Sequence, residues 1–139
     1  MPRFLLLLCG DENDRVAPGS PEFAAMADGF RDFTTRLSDA GALVDGAPLM
    51  PSSVARTARL RPDARPFVVD GPFAETKEVV GGYFLIEAAS LDEAVEWATS
   101  LRVVRPGSME VRPLLDLHAG VDSGGARSSS DDNTFKEGS

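Results

Sequence analysis

Residues 68–88 read VVDGPFAETKEVVGGYFLIEA, two apolar runs around a polar segment that starts Asp70-Gly71-Pro72 and ends Glu75-Thr76-Lys77-Glu78. The second run, Val79 to Glu87, is rich in aromatic and β-branched residues and predicts the strongest strand of the chain. Gly81-Gly82 near its start predicts a bulge or the close approach of another group. The first run, Phe67-Val68-Val69, predicts a short strand. Asp-Gly-Pro between them has turn chemistry: Asp and Gly favour turn positions, and Pro fixes φ. The link from Asp70 to Glu78 exceeds the two to five residues of a minimal hairpin loop, and surplus loop length often carries function.

Working outward, Phe4-Leu5-Leu6-Leu7-Leu8-Cys9 is a continuous apolar run, expected of a strand covered on both faces or central in a sheet. The run is shorter than a secretory signal core and has a bulky Leu8 where processing needs a small residue, so a strand is the expectation. Gly10-Asp11-Glu12-Asn13-Asp14 then predicts a loop that runs to Gly19. Ser20-Pro21-Glu22 opens a helix, with Ser20 as cap and Pro21 at the first turn. Phe23, Met26, Ala27, Phe30, Phe33, Leu37 and Ala40 form one apolar stripe, and Gly41 stops the helix. Residues 42–49 predict a weak strand. Residues 54–60 predict a strand with one wet face. Ser90-Leu91-Asp92-Glu93 is a capping box for a second helix that runs to about Leu101. Leu91, Ala94, Val95, Ala98 and Leu101 are expected inward on it. Met109 to Leu115 predicts a last strand, placed at an edge or at its end by Pro113.

The order β-α-β-β-(β)-β-α-β predicts an antiparallel sheet with both helices on one face. No third helix is left for the other face, so a homodimer packing sheet against sheet is expected, with a cavity between the sheets. Residues 1–118 form the expected domain. Residues 119–139, dominated by Gly, Ser, Asp and Asn, predict a flexible polar tail.

The net charge of −8 and the scattered arginines leave no nucleic-acid footprint, and they disfavour anionic membranes. One cysteine excludes a disulfide framework and a Cys-rich zinc site; one histidine restricts acid–base chemistry. No stretch approaches the roughly 20 apolar residues of a membrane helix. A soluble, cytoplasmic protein is expected.

The run Asp70-Gly71-Pro72-Phe73-Ala74-Glu75-Thr76-Lys77-Glu78, followed by Gly81-Gly82-Tyr83-Phe84-Leu85-Ile86, closely resembles the signature of the DGPF family, the YCII-related proteins. The Ser90-Leu91-Asp92-Glu93-Ala94 helix start with Trp97, the closing Met109-Glu110-Val111-Arg112-Pro113, and the opening Leu-rich strand with its acidic turn extend the resemblance over residues 3–115. It implies a ferredoxin-like βαββαβ fold paired as a dimeric α+β barrel, and it implies much less about activity. Some family members sit beside or are fused to sigma factors. Others in the wider superfamily are small lyase-like enzymes with a His on the first helix and an Asp just past the second. Here no His lies between Ser20 and Ala40, and Ser100-Leu101-Arg102 offers no Asp, so that pair is not carried over.

The candidate residues are therefore read on their own chemistry. Asp70 serves as a turn former or as a general base at a cavity mouth. Lys77 is the candidate electrophilic stabiliser and Glu75 the orienting group; the alternative is a solvated ion pair. Asp11, Glu75, Thr76 and Tyr83 are the candidate binding residues. Glu12 ends the first strand beside Asp11. Arg56, Arg59 and Arg112 offer charge from strands. Cys9 reads as a packed thiol and His118 as surface. Asp11, Asp70 and Glu75 could hold a hard cation, but their spacing is not diagnostic; no metal or cofactor is assigned. The leading functional expectation is a polar small-molecule binder at a homodimer cavity, as a cofactor-independent lyase or isomerase if catalytic. The alternatives are a non-catalytic regulatory or interaction module and a heterodimer subunit.

Overall fold

The computed structural model describes residues 1–73 and 77–118. Residues 74–76 and the expected tail, 119–139, lie outside them. The described residues form β1 (Arg3–Asp11), α1 (Pro21–Asp39), β2 (Leu43–Pro48), β3 (Arg56–Arg59), β4 (Phe67–Asp70), β5 (Glu78–Glu87), α2 (Leu91–Thr99) and β6 (Ser108–Pro113), with single 3-10 turns at Glu12–Asp14 and Ser52–Val54. A four-stranded antiparallel sheet has the order β2-β5-β1-β6. With α1 and α2 on one face this is a ferredoxin-like α+β fold, as expected.

β1 holds the centre because its apolar run suits both faces. It pairs Leu5 with Leu85 and Leu7 with Tyr83 on β5, and Leu5 with Arg112 and Leu7 with Glu110 on β6. Pro113 ends β6, an edge strand, where its missing N–H costs no ladder bond. The register slips between Leu8, opposite Gly82, and Cys9, opposite Val80, so Gly81 is the extra residue of the expected bulge. Gly10 and Asp11, expected in the loop, instead stay in the ladder opposite Val79 and Glu78. Cross-strand pairing with β5 outweighs their poor strand propensity.

Ser20 caps α1, its Oγ accepting from the Phe23 N–H at 3.1 Å. Phe4 and Leu6 from β1, Phe84 and Ile86 from β5, Phe33 and Leu37 from α1, and Ala94 from α2 form the buried core. Phe84 stacks on Phe30 at 4.6 Å and meets Phe33 edge-on at 4.8 Å, and Trp97 closes on Phe33 at 6.3 Å. Burying each such ring stabilises by about 1.5–3 kcal/mol. Gly29 has a packing reason inside α1: a Cβ there would stand 2.8 Å from the Arg102 carbonyl oxygen. Met26 and Ala40, expected in the stripe, are exposed. Leu91 and Val95 are also exposed, since α2 turns Ala94 and Ala98 to the core instead.

The largest departure concerns β3 and β4. They pair only with each other, Arg56 opposite Asp70 through Arg59 opposite Phe67, as a separate two-stranded sheet. β4 and β5 do not pair, so the Asp-Gly-Pro segment is no hairpin loop; it connects two sheets. Gly71 still turns the chain, at φ +95°, a conformation costly for other residues. The expected single wet face of β3 is also corrected. No residue of β3 or β4 is buried, and among the described residues no helix or further strand pairs with or covers them.

Candidate functional site

The described candidate side chains fall in two places: the helix-free face of the sheet, and the end of β1 where the β3–β4 hairpin is rooted.

The face follows from strand alternation. With Phe4, Leu6, Phe84 and Ile86 turned to the helices, Leu5, Leu7 and Cys9 of β1 and Tyr83 and Leu85 of β5 turn the other way. None of these five is fully buried. They form an apolar stripe with a charged rim. Arg3 pairs with Glu87 at 3.4 Å and Arg112 with Glu110 at 3.2 Å. Asp45 of β2 lies opposite Leu85, on the same face. The Tyr83 hydroxyl donates to Asp45 Oδ2 at 3.1 Å, and this bond raises the Tyr83 pKa, because the carboxylate favours the neutral phenol. The Gly46 N–H, donating to Asp45 Oδ1 at 2.8 Å, fixes the other carboxylate oxygen. Burial raises the Cys9 thiol, and the charges of Glu110 and Glu78 add to it, so the thiol stays protonated and unreactive at neutral pH.

At the end of β1, Asp11 and Glu12 grip both roots of the hairpin. Asp11 Oδ1 accepts from the Asn13 N–H at 2.9 Å, and Oδ2 faces Lys77 Nζ at 3.6 Å. The Glu12 N–H donates to the Lys77 carbonyl at 3.4 Å. The Glu12 carboxylate accepts from the Ser52 N–H at 2.7 Å and from the Ser52 hydroxyl. These two bonds, the hydroxyl's first, hold the Glu12 carboxyl below the usual range. Ser52 precedes β3 and Lys77 precedes β5. One acidic turn therefore fixes where the hairpin leaves the domain and where the chain returns.

Asp70 stands apart from this anchor. Its side chain is 93% exposed and pairs with Arg56 at 3.5 Å, not with its own backbone or with Lys77. Just beyond it, the Gly71 N–H donates to the Ala55 carbonyl at 2.7 Å and Thr57 Oγ1 to the Gly71 carbonyl at 2.8 Å, closing the hairpin base. Lys77 and Asp11 come together; Tyr83 sits on the open face. Glu75 and Thr76 lie outside the described residues. Ser52 and Asp45 are partners that sequence reading did not supply. Each bonds a residue about forty positions away, and only the sheet register brings them close.

A groove of about 490 Å³ between α2 and β6 is lined by Leu91, Val95, Leu101, Met109 and Val111 among others. It lacks the convergent polar groups that orient a ligand. Among the described residues no His, Cys, Asp and Glu cluster is arranged to hold a metal ion, and no helix is long and apolar enough to cross a membrane.

Known proteins share this sequence pattern. A protein of Rhizobium meliloti (strain 1021), itself described as uncharacterised, is 49% identical over 78 residues, which are 55% of this chain and 62% of that protein. The match thus spans less than two thirds of that relative's length. Residues 4–118 match the family model of the YCII-related domain, from the first strand to just past the last. On that match the chain belongs to the YCII-related family.

Proposed function

We propose that this protein is a homodimer whose two helix-free sheet faces enclose a cavity that binds a small polar molecule. The observation that carries the reading is the open face: Leu5, Leu7, Cys9, Tyr83 and Leu85 remain part-exposed inside a charged rim, with no described helix over them. A strand apolar on both sides is stable in water only when both sides are covered. A two-fold axis would oppose the stripe to itself, an isologous contact. The Tyr83–Asp45 pair presents its remaining oxygen lone pairs as acceptors to orient a ligand there.

Binding is favoured over catalysis. In a lyase or isomerase reading Asp70 is the base, Lys77 the electrophilic stabiliser and Glu75 the orienting group. Within one chain Asp70 is engaged with Arg56 and Lys77 with Asp11, and both side chains are largely exposed to water. A second reading, a non-catalytic interaction module, is supported by the exposed apolar side chains of the β3–β4 hairpin.

Native mass spectrometry of protein purified without denaturation tests the binding reading. The expected spectrum shows a dimer with a small-molecule adduct that is lost in a Tyr83→Phe/Asp45→Asn variant. A dimer without an adduct, or an adduct retained by the variant, would overturn it.

A further inference from the structure

The β3–β4 hairpin combines properties that a free surface feature does not need. An isolated two-stranded sheet is marginal in water, yet no residue of these strands is buried and the main sheet pairs with neither. Its surface is apolar where such arms are ordinarily polar. Leu60, Phe67, Val68 and Phe73 are all exposed, Phe73 to 73%. Its aromatic rings carry stacked guanidinium groups, Arg59 at 5.3 Å from the Phe73 centroid and Arg61 at 4.9 Å from that of Phe67. Such stacks hold a flexible cation in place at little entropic cost.

Charge identifies what the arm fits. Residues 49–73 carry four arginines against two aspartates, in a chain whose net charge is −8. The arm is thus a basic, apolar projection from an acidic body. By register, Asp45, Glu78, Glu87 and Glu110 share the open face with Arg3 and Arg112. That face is acidic around an apolar stripe, complementary to the arm in both respects. The hairpin roots are fixed at the Asp11–Glu12 end of the sheet, so the arm's direction of exit is set by the fold.

We propose that the β3–β4 hairpin is an intersubunit arm: its arginines and apolar side chains pack against the acidic, helix-free face of a second copy of this chain and complete the site there. This rests on the homodimer reading and adds the contribution of the partner's residues. Each cavity would receive guanidinium groups from the other subunit, so a ligand bearing a carboxylate or phosphate would find its counter-charge only in the dimer. The exposed Arg59 and Arg61 are the arm's recognition groups, and Phe67 and Val68 its apolar contact.

Hydrogen–deuterium exchange combined with sedimentation velocity tests the arm. In the wild-type dimer the amides of β3 and β4 are expected to exchange at least about tenfold more slowly than in a Leu7→Asp variant, whose open face cannot self-associate. Arg59→Glu/Arg61→Glu is expected to weaken the dimer about tenfold with an unchanged circular dichroism spectrum. A wild-type dimer whose hairpin exchanges as fast as in Leu7→Asp would overturn the arm and leave the homodimer standing. A wild type that remains monomeric at tens of micromolar would overturn both.

Discussion

The two faces of the four-stranded sheet are built from the same strands and differ in what covers them. On one face Phe4, Leu6, Phe84 and Ile86 are sealed beneath α1 and α2. On the other, Leu5, Leu7, Tyr83 and Leu85 occupy alternate positions of the same strands and remain part-exposed. Their side chains are as apolar as those of the sealed face. Strand composition alone would bury both. The difference teaches that, among the described residues, the helices cover one apolar face of the sheet, and that the other is the face the proposed second copy would cover.

The largest effect separates these faces directly. Phe84→Ala removes the ring that joins Phe30 and Phe33 and is expected to cost about 3–5 kcal/mol in urea unfolding. An equal loss from Leu7→Ala on the open face, measured below the association concentration, would erase the distinction between the faces.

A second prediction concerns the anchor. Because hydrogen bonds from Ser52 depress the Glu12 pKa, ionised Glu12 favours the folded chain. Its contribution is complete above the ordinary glutamate value of 4.5 and fades as pH falls through the depressed folded value. The stability advantage of wild type over Glu12→Gln should therefore be full at neutral pH and shrink in acid. An advantage independent of pH would break this assignment.

The open face has its own spectroscopic reporter, because Tyr83 is the sole tyrosine. Its ultraviolet titration should have a midpoint above the ordinary 10.0, returning toward that value in Asp45→Asn. The sign for stability is opposite to that of Glu12: the contribution is present below the ordinary value and is lost as pH rises through the raised one. The smallest effect is expected at Asp70. Asp70→Asn breaks only an exposed pair with Arg56 and should change stability by less than about 0.5 kcal/mol. A larger loss would mean that Asp70 has a partner in the assembly.

How much could be read from the sequence follows the range of the interactions. β1, α1 and β5 were legible because their signals are local: an unbroken Leu run, a capped stripe ending at Gly41, and an aromatic run behind two glycines. The Gly81 bulge was legible for the same reason. The pairing of β4 with β3 instead of β5 was not, because both alternatives satisfy the same apolar pattern. The site was less legible still. Asp11 and Lys77 were named as candidates, and they meet. The partners of Glu12 and Tyr83, Ser52 and Asp45, have no local signature, since β2 and the 3-10 turn reach them only through tertiary packing. Glu75 and Thr76 lie outside the described residues.

The measurement closest to the central claim is the sedimentation velocity of the wild-type protein at tens of micromolar. If a second copy covers the helix-free face, the species has twice the 14.8 kDa chain mass, and Leu7→Asp reduces it to a folded single chain. A wild type that sediments as a folded 14.8 kDa monomer, indistinguishable from Leu7→Asp, would contradict it.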